Sequence, residues 1–361
     1  MNGTSDATPT RPPLMKSLLR RLVIALILAV ILAIPAVIMS LLTNEPAASG
    51  WASMAAIGGL VAVAAAGPRI GVITAIVMGL LAPVSIIAGQ TPITGAALMA
   101  LMCLMLGRLS RFGLHRATVL VVIFIAWTLI APPPWGPTES VVRTDETYLA
   151  WMGAIFFVGA LVPVLIMPFL LRKMKRPAPV LHTRDEAVPY TVSITVLATI
   201  STYYVLANPT DFAGAFLVAT ILVLTQVGEA AVLKPTIYRV IGTILGSTIV
   251  VLIVAQIHSL PVVYLIGLIL GTAAVIAKFG PHPWLYYTFI TPTAVFLNAL
   301  SVQQVGELGE QRLVDNIVGA VLVLIAAGLT IAYSQWHAKH GHIDAAEQAE
   351  QQKLLSLTDP R

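Results

Sequence analysis

Two arginines, one aspartate and a group of hydroxyl and amide side chains are the residues of this chain that could do chemistry. Arg312 and Asp315 open an apolar run in Arg312-Leu313-Val314-Asp315-Asn316-Ile317-Val318-Gly319. Three residues apart, they share one helix face, so they can form an internal ion pair, or Asp315 can carry a proton. Asp315 is the only acid inside an apolar run. At the bilayer centre an aspartate costs about 2.5–3.5 kcal/mol on insertion scales, and less near the end of a span. Arg239 opens a second run, Arg239-Val240-Ile241-Gly242-Thr243-Ile244-Leu245-Gly246. Its guanidinium could attract an anion, with Thr243 beside it, or could simply set topology. Gly242 and Gly246, four apart, offer a small face for helix packing, as does Gly319. A third run carries Tyr286, Tyr287, Thr288, Thr291, Thr293 and Asn298, with Pro292 interrupting it. A polar, proline-broken span is where a transport pathway is expected; hydrogen bonding between helices is the alternative. Binding and passage of a small anion is the chemistry these residues suit.

Covalent catalysis is not expected. The chain has no Gly-x-x-x-x-Gly-Lys-Ser/Thr loop, so ATP is not expected to power it. It also lacks a Gly-x-Ser-x-Gly elbow, a His-Glu-x-x-His pair and a Cys-x-x-Cys pair. We expect no enzyme activity, no cofactor and no metal site; His337, His340 and His342 have Asp344 as their only close acid. The single cysteine, Cys103, reads as a small packing residue. The basic balance, pI about 9.4, gives no case for nucleic acid, because the cations follow a topological rule described next.

The elements that must position these residues are membrane spans. Of the 361 residues 58% are hydrophobic and 10% charged, with a mean hydropathy of +0.90. A soluble domain carries about 25% charged residues. Uncharged apolar runs occur at about 22–42, 51–66, 70–89, 93–107, 117–132, 149–171, 188–206, 212–228, 240–257, 260–277, 284–301 and 313–335. With both termini inside, nineteen of the 21 lysines and arginines fall on the cytoplasmic side; only Arg143 and Arg312 lie outside. This count puts Arg239 at the inner face and Arg312 near the outer one. The outside loop 131–147 is stiffened by Pro132, Pro133, Pro134 and Pro137. Thr225, Gln226 and Glu229 close the eighth run as lesser candidates.

The chain repeats itself. Arg111-Phe112-Gly113-Leu114-His115 recurs as Lys278-Phe279-Gly280-Pro281-His282, and Arg69 pairs with Arg239 and Pro92 with Pro261 at nearly the same offset. Six spans per copy, an even number, make the repeat parallel. The expected fold is an all-α integral membrane protein of about twelve transmembrane helices, arranged as two parallel six-helix repeats. Its parts are a cytoplasmic segment 1–21, a first repeat 22–171, a basic linker 172–187, a second repeat 188–335 and a cytoplasmic tail 336–361.

The Arg-x-x-Gly-Thr-x-x-Gly text at 239–246 and the Arg-x-x-Asp-x-x-x-Gly text at 312–319, in this order, resemble the fusaric acid resistance superfamily, which includes the aromatic acid exporters. The six-helix unit is also similar to that of the plant aluminium-activated malate channels. The chain looks like a minimal two-repeat member without the large cytoplasmic domains of typical exporters. The resemblance implies an inner-membrane transporter exporting small organic, aromatic carboxylates or related toxic compounds, with proton coupling and a periplasmic adaptor protein as partner. A passive anion channel and a non-transporting assembly subunit stay open as alternatives, as does a homodimer. In the export reading Arg239, Thr243, Tyr287, Thr291 and Asn298 bind or gate the substrate, and Arg312 with Asp315 couples protons or forms an ion pair.

Overall fold

The computed structural model describes residues 14–132, 145–170, 180–208, 213–225, 227, 233–257, 259–278, 282–298 and 302–340. All regular structure among them is helical: α1 (Leu14–Thr43), α2 (Pro46–Ala66), α3 (Pro68–Ala88), α4 (Pro92–Ser110), α5 (His115–Ile130), α6 (Glu146–Leu170), α7 (Arg184–Ala207), α8 (Ala213–Leu224), α9 (Leu233–Val254), α10 (Leu260–Lys278), α11 (Pro283–Asn298) and α12 (Val302–His340). Each apolar run read from the sequence overlaps one of them. The signals that start them are local. Pro46, Pro68 and Pro92 occupy first-turn positions, where a missing N–H costs nothing. Thr91 caps α4 by accepting from the Thr94 amide at 3.2 Å. Thr183 and Glu186 form a capping box on α7. Residues 172–179 of the linker, residues 133–144 of the outside loop with Pro133, Pro134 and Pro137, Gly280 and the tail beyond His340 lie outside the described residues.

Eight of these helices, α1, α2, α3, α4, α6, α7, α9 and α12, are long and apolar enough to cross a membrane. The chain is a multi-pass membrane protein, and length and composition support eight spans among the described residues where the sequence led us to expect about twelve. The shortfall has a physical reason at α5 and α8, which have 16 and 12 residues. At 1.5 Å per residue they reach about 24 and 18 Å, less than the ~30 Å hydrocarbon core. They are shielded instead. Val121–Leu129 of α5 and Ala215–Leu222 of α8 are buried throughout, the pattern of a helix apolar on all sides. The two pack on each other. The Trp127 indole donates to the Ala215 carbonyl at 3.1 Å, and its ring meets Phe216 edge-on with centroids 5.6 Å apart.

Around this pair the helices take up recurring neighbours. In the first six, α6 packs on α2 and α3, α5 on α3, α4 on α5, and α1 on α2 and α6. In the last six, α12 packs on α8 and α9, α11 on α9, α10 on α11, and α7 on α8 and α12. The two sets meet where α4 lies on α7, α1 on α10 and α5 on α8. Some approaches are close enough that only glycine fits. A Cβ on Gly59 would strike the Ala160 backbone, and one on Gly79 would lie 2.8 Å from the Phe157 Cβ.

Candidate functional site

The two arginines singled out in the sequence come together. Asn316, one helical turn after Arg312 on α12, is the hub. Its side-chain oxygen accepts from Arg239 Nε of α9 at 3.1 Å and from the Thr220 hydroxyl of α8 at 3.1 Å. Its amide nitrogen donates to the Arg312 carbonyl at 2.7 Å, which fixes the ring of contacts to α12. Arg239 also reaches Thr220 through Nη2 at 3.4 Å. The Arg312 guanidinium stacks over the Phe216 ring at 4.5 Å, and that of Arg239 faces Tyr287 at 5.8 Å. Three helices and two aromatic faces thus hold two cations in the bundle.

The charges are not balanced inside the site. Arg312 is 8% exposed, and its Nε and Nη1 have no hydrogen-bond partner. The two guanidiniums repel each other. Asp315 acts on Arg312 through its charge but makes no ion pair with it within 4 Å; among the described residues the only such contact is His182–Glu186. One Asp315 oxygen, Oδ2, is buried without a partner. Burying an unpaired charged donor away from water is costly. An anion with two oxygens matches a guanidinium fork, so the arrangement suits capture of a carboxylate between ring faces.

The structure corrects the depths assigned from the sequence. Arg239 and Arg312 cannot lie at opposite faces of a ~30 Å core when Asn316 touches one and follows the other by a turn. The reason is in α12, which begins at Val302. Arg312 lies ten residues into it, about 15 Å along the axis. Reading apolar runs sets span boundaries at charges and so pushes a buried charge outside. The internal Arg312–Asp315 ion pair is likewise not formed.

The other predicted residues divide into two groups. Gly242 and Gly246 face α11: a Cβ on Gly242 would lie 2.5 Å from the Tyr287 Cβ and 2.7 Å from the Trp284 oxygen. One on Gly246 would lie 2.7 Å from the Thr288 oxygen, the carbonyl that Pro292, four residues on, leaves without its helical donor. Gly319 faces Thr220. Tyr287 is therefore carried to Arg239 by the α9–α11 contact. Thr243 is buried near that contact, and Thr291 is buried as well. The α11 hydroxyls turn inward on their own helix: Thr288, Thr291 and Thr293 donate to the carbonyls of Trp284, Tyr287 and Phe289 at 2.8–3.1 Å. Asn298 ends α11, and its side chain, like Gln226 and Glu229, lies outside the described residues. Thr225 bonds to Ile221 O and not to the cluster.

Sequence reasoning missed Asn316, Thr220 and Phe216. Asn316 carried a signal, a second polar residue directly after Asp315 in an apolar run. Thr220 and Phe216 carried none, since a lone threonine or phenylalanine in such a run points to no partner. Residues 230–326 match the family described as Fusaric acid resistance protein-like. No curated protein and no solved structure matches the chain. The matched segment holds Arg239, Tyr287, Arg312, Asp315 and Asn316, whereas Thr220 and Phe216 precede it.

Proposed function

We propose, from the match of residues 230–326 to the family described as Fusaric acid resistance protein-like, that the chain is a member of that superfamily and exports small organic anions, aromatic carboxylates among them. It is not an enzyme in this reading. Arg239 and Arg312 receive the carboxylate, while Phe216 and Tyr287 flank the remainder of the molecule. The carrying observation is Arg312, buried with two guanidinium nitrogens unpartnered beside a second arginine. Asp315, with a buried unpartnered oxygen, is the group that exchanges a proton as the anion arrives and leaves. A passive channel needs the same cations and has no use for that carboxyl group.

In the same reading the protein lies in the inner membrane with both termini cytoplasmic and hands its substrate to a periplasmic adaptor. The distribution of lysine and arginine supports the orientation. Two parallel six-helix repeats are part of the proposal. Supporting them, α2–α6, α3–α6, α3–α5, α4–α5, α1–α2 and α1–α6 each have a counterpart six helices later, and α4–α7 has one in α10–α1.

The test is flux in proteoliposomes with benzoate as probe. Wild-type protein should move benzoate, and faster with an imposed pH gradient. The Arg312→Gln and Arg239→Gln variants should stay folded, as judged by thermal unfolding, and lose most of the flux. Undiminished flux in the double variant would overturn the site. Flux indifferent to the pH gradient would favour the passive channel.

A further inference from the structure

A second cationic site lies away from the Arg239–Arg312 cluster, at the seam where α4 meets α7. The helices touch at Gly107, where any Cβ would run into the Thr191 side chain. Beside this contact opens a cleft of about 470 Å³. One end is rimmed by Arg108 at the end of α4, Arg111 in the following turn and Arg184 at the first residue of α7. The positive φ of Gly113, 68°, turns the chain sharply just beyond. The walls are Leu104, Met105, Val188 and Val192, all exposed, on two helices long and apolar enough to cross a membrane.

The three arginines are exposed and have no ion-pair or hydrogen-bond partner among the described residues. The acids that follow Arg184 do not relieve them. Asp185 and Glu186 do not line the cleft, and Glu186 is held by the Thr183 amide and His182. A free inorganic anion would satisfy the arginines and leave the apolar wall unused. The geometry points to a bound anionic phospholipid: the phosphate on Arg108, Arg111 and Arg184, and an acyl chain along Leu104, Met105, Val188 and Val192. Basic pockets between membrane helices hold such headgroups by charge, and apolar walls add the chain contact. A lipid seated here touches α4 and α7 together and so braces the first six helices against the last six.

The experiment uses the full chain in nanodiscs, with Val192→Cys labelled by bimane; the native Cys103 is fully buried and stays unlabelled. Brominated phosphatidylglycerol should quench the label at low mole fraction, with a preference of roughly tenfold or more over brominated phosphatidylcholine, from about three cation contacts. In Arg108→Gln/Arg111→Gln/Arg184→Gln the preference should vanish while quenching by phosphatidylcholine is unchanged. Equal quenching by the two lipids in the wild-type background would overturn the inference, whether or not the triple variant folds. Displacement of the lipid by millimolar inorganic phosphate would also overturn it, reassigning the cleft to a free anion.

Discussion

Replacing Gly242 by alanine puts a number on the contact that carries Tyr287 to Arg239. The added Cβ would sit 2.5 Å from the Tyr287 Cβ, 2.7 Å from the Trp284 oxygen and 2.9 Å from the Thr288 nitrogen, where ordinary contact begins at 3.4 Å. Two of these three atoms are backbone, so a rotamer change cannot relieve the overlap. Helix α11 must retreat by up to about 0.9 Å. Overpacking of this kind costs about 1–3 kcal/mol, and alanine returns about 1 kcal/mol of helix propensity. The net change should be a destabilisation of up to about 2 kcal/mol. Gly328→Ala on α12 is the control, because a Cβ there meets nothing within 4 Å. It should show the propensity gain alone, and the difference between the two variants isolates the packing cost. Thermal unfolding in detergent reads both. Retreat of α11 also draws Tyr287 from Arg239, so benzoate affinity should fall in Gly242→Ala and hold in Gly328→Ala. If Gly242→Ala proves as stable as Gly328→Ala, α9 and α11 do not touch as described and the placement of Tyr287 goes with them.

Four further outcomes are expected. Asn316→Leu removes the acceptor shared by Arg239 and Thr220 and should cost at least about 1–3 kcal/mol in unfolding, whereas Asn316→Asp keeps an acceptor, supplies an internal anion, and should leave a folded protein that no longer binds benzoate in a calorimetric titration. Asp315→Asn should abolish accumulation against a gradient in proteoliposomes while sparing downhill exchange; unchanged uphill transport ends its proton role. Trp127→Phe loses one hydrogen bond to the Ala215 carbonyl and should lower unfolding stability by about 1 kcal/mol, with no effect on anion affinity. Cysteines at Val180 and Asp145 should label from opposite sides of the membrane, Val180 from the cytoplasm, and labelling of both from one side would break the proposed topology.

The positions of all twelve helices were legible because a continuous apolar run is a strong local signal. Their ends were less so. α12 starts at Val302, eleven residues before the apolar run, since Gln303, Glu307 and Glu310 continue a helix that hydropathy alone cannot see. Arg239, Arg312 and Asp315 stood out as charges in an apolar setting. Their meeting did not, because it depends on which helices α8, α9 and α12 choose as neighbours, and no local spacing encodes that. The α11 threonines drew attention as a polar stripe, yet their hydroxyls bond one turn back; a threonine's partner, its own helix or another, is decided by packing.

The shielding of α8 bears on how the protein can be made. A twelve-residue helix about 18 Å long cannot hold itself across a bilayer, and its partners are α5, α7 and α12. The first two precede it in synthesis, whereas α12 follows it, after α9, α10 and α11. Until then, the side of α8 bearing Thr220 has no Asn316 to meet, and Arg239 must be inserted with Thr220 alone as its acceptor. The cationic site is thus completed only once α12 has been made. A protein arrested before Val302 presents an unclosed polar seam inside the membrane.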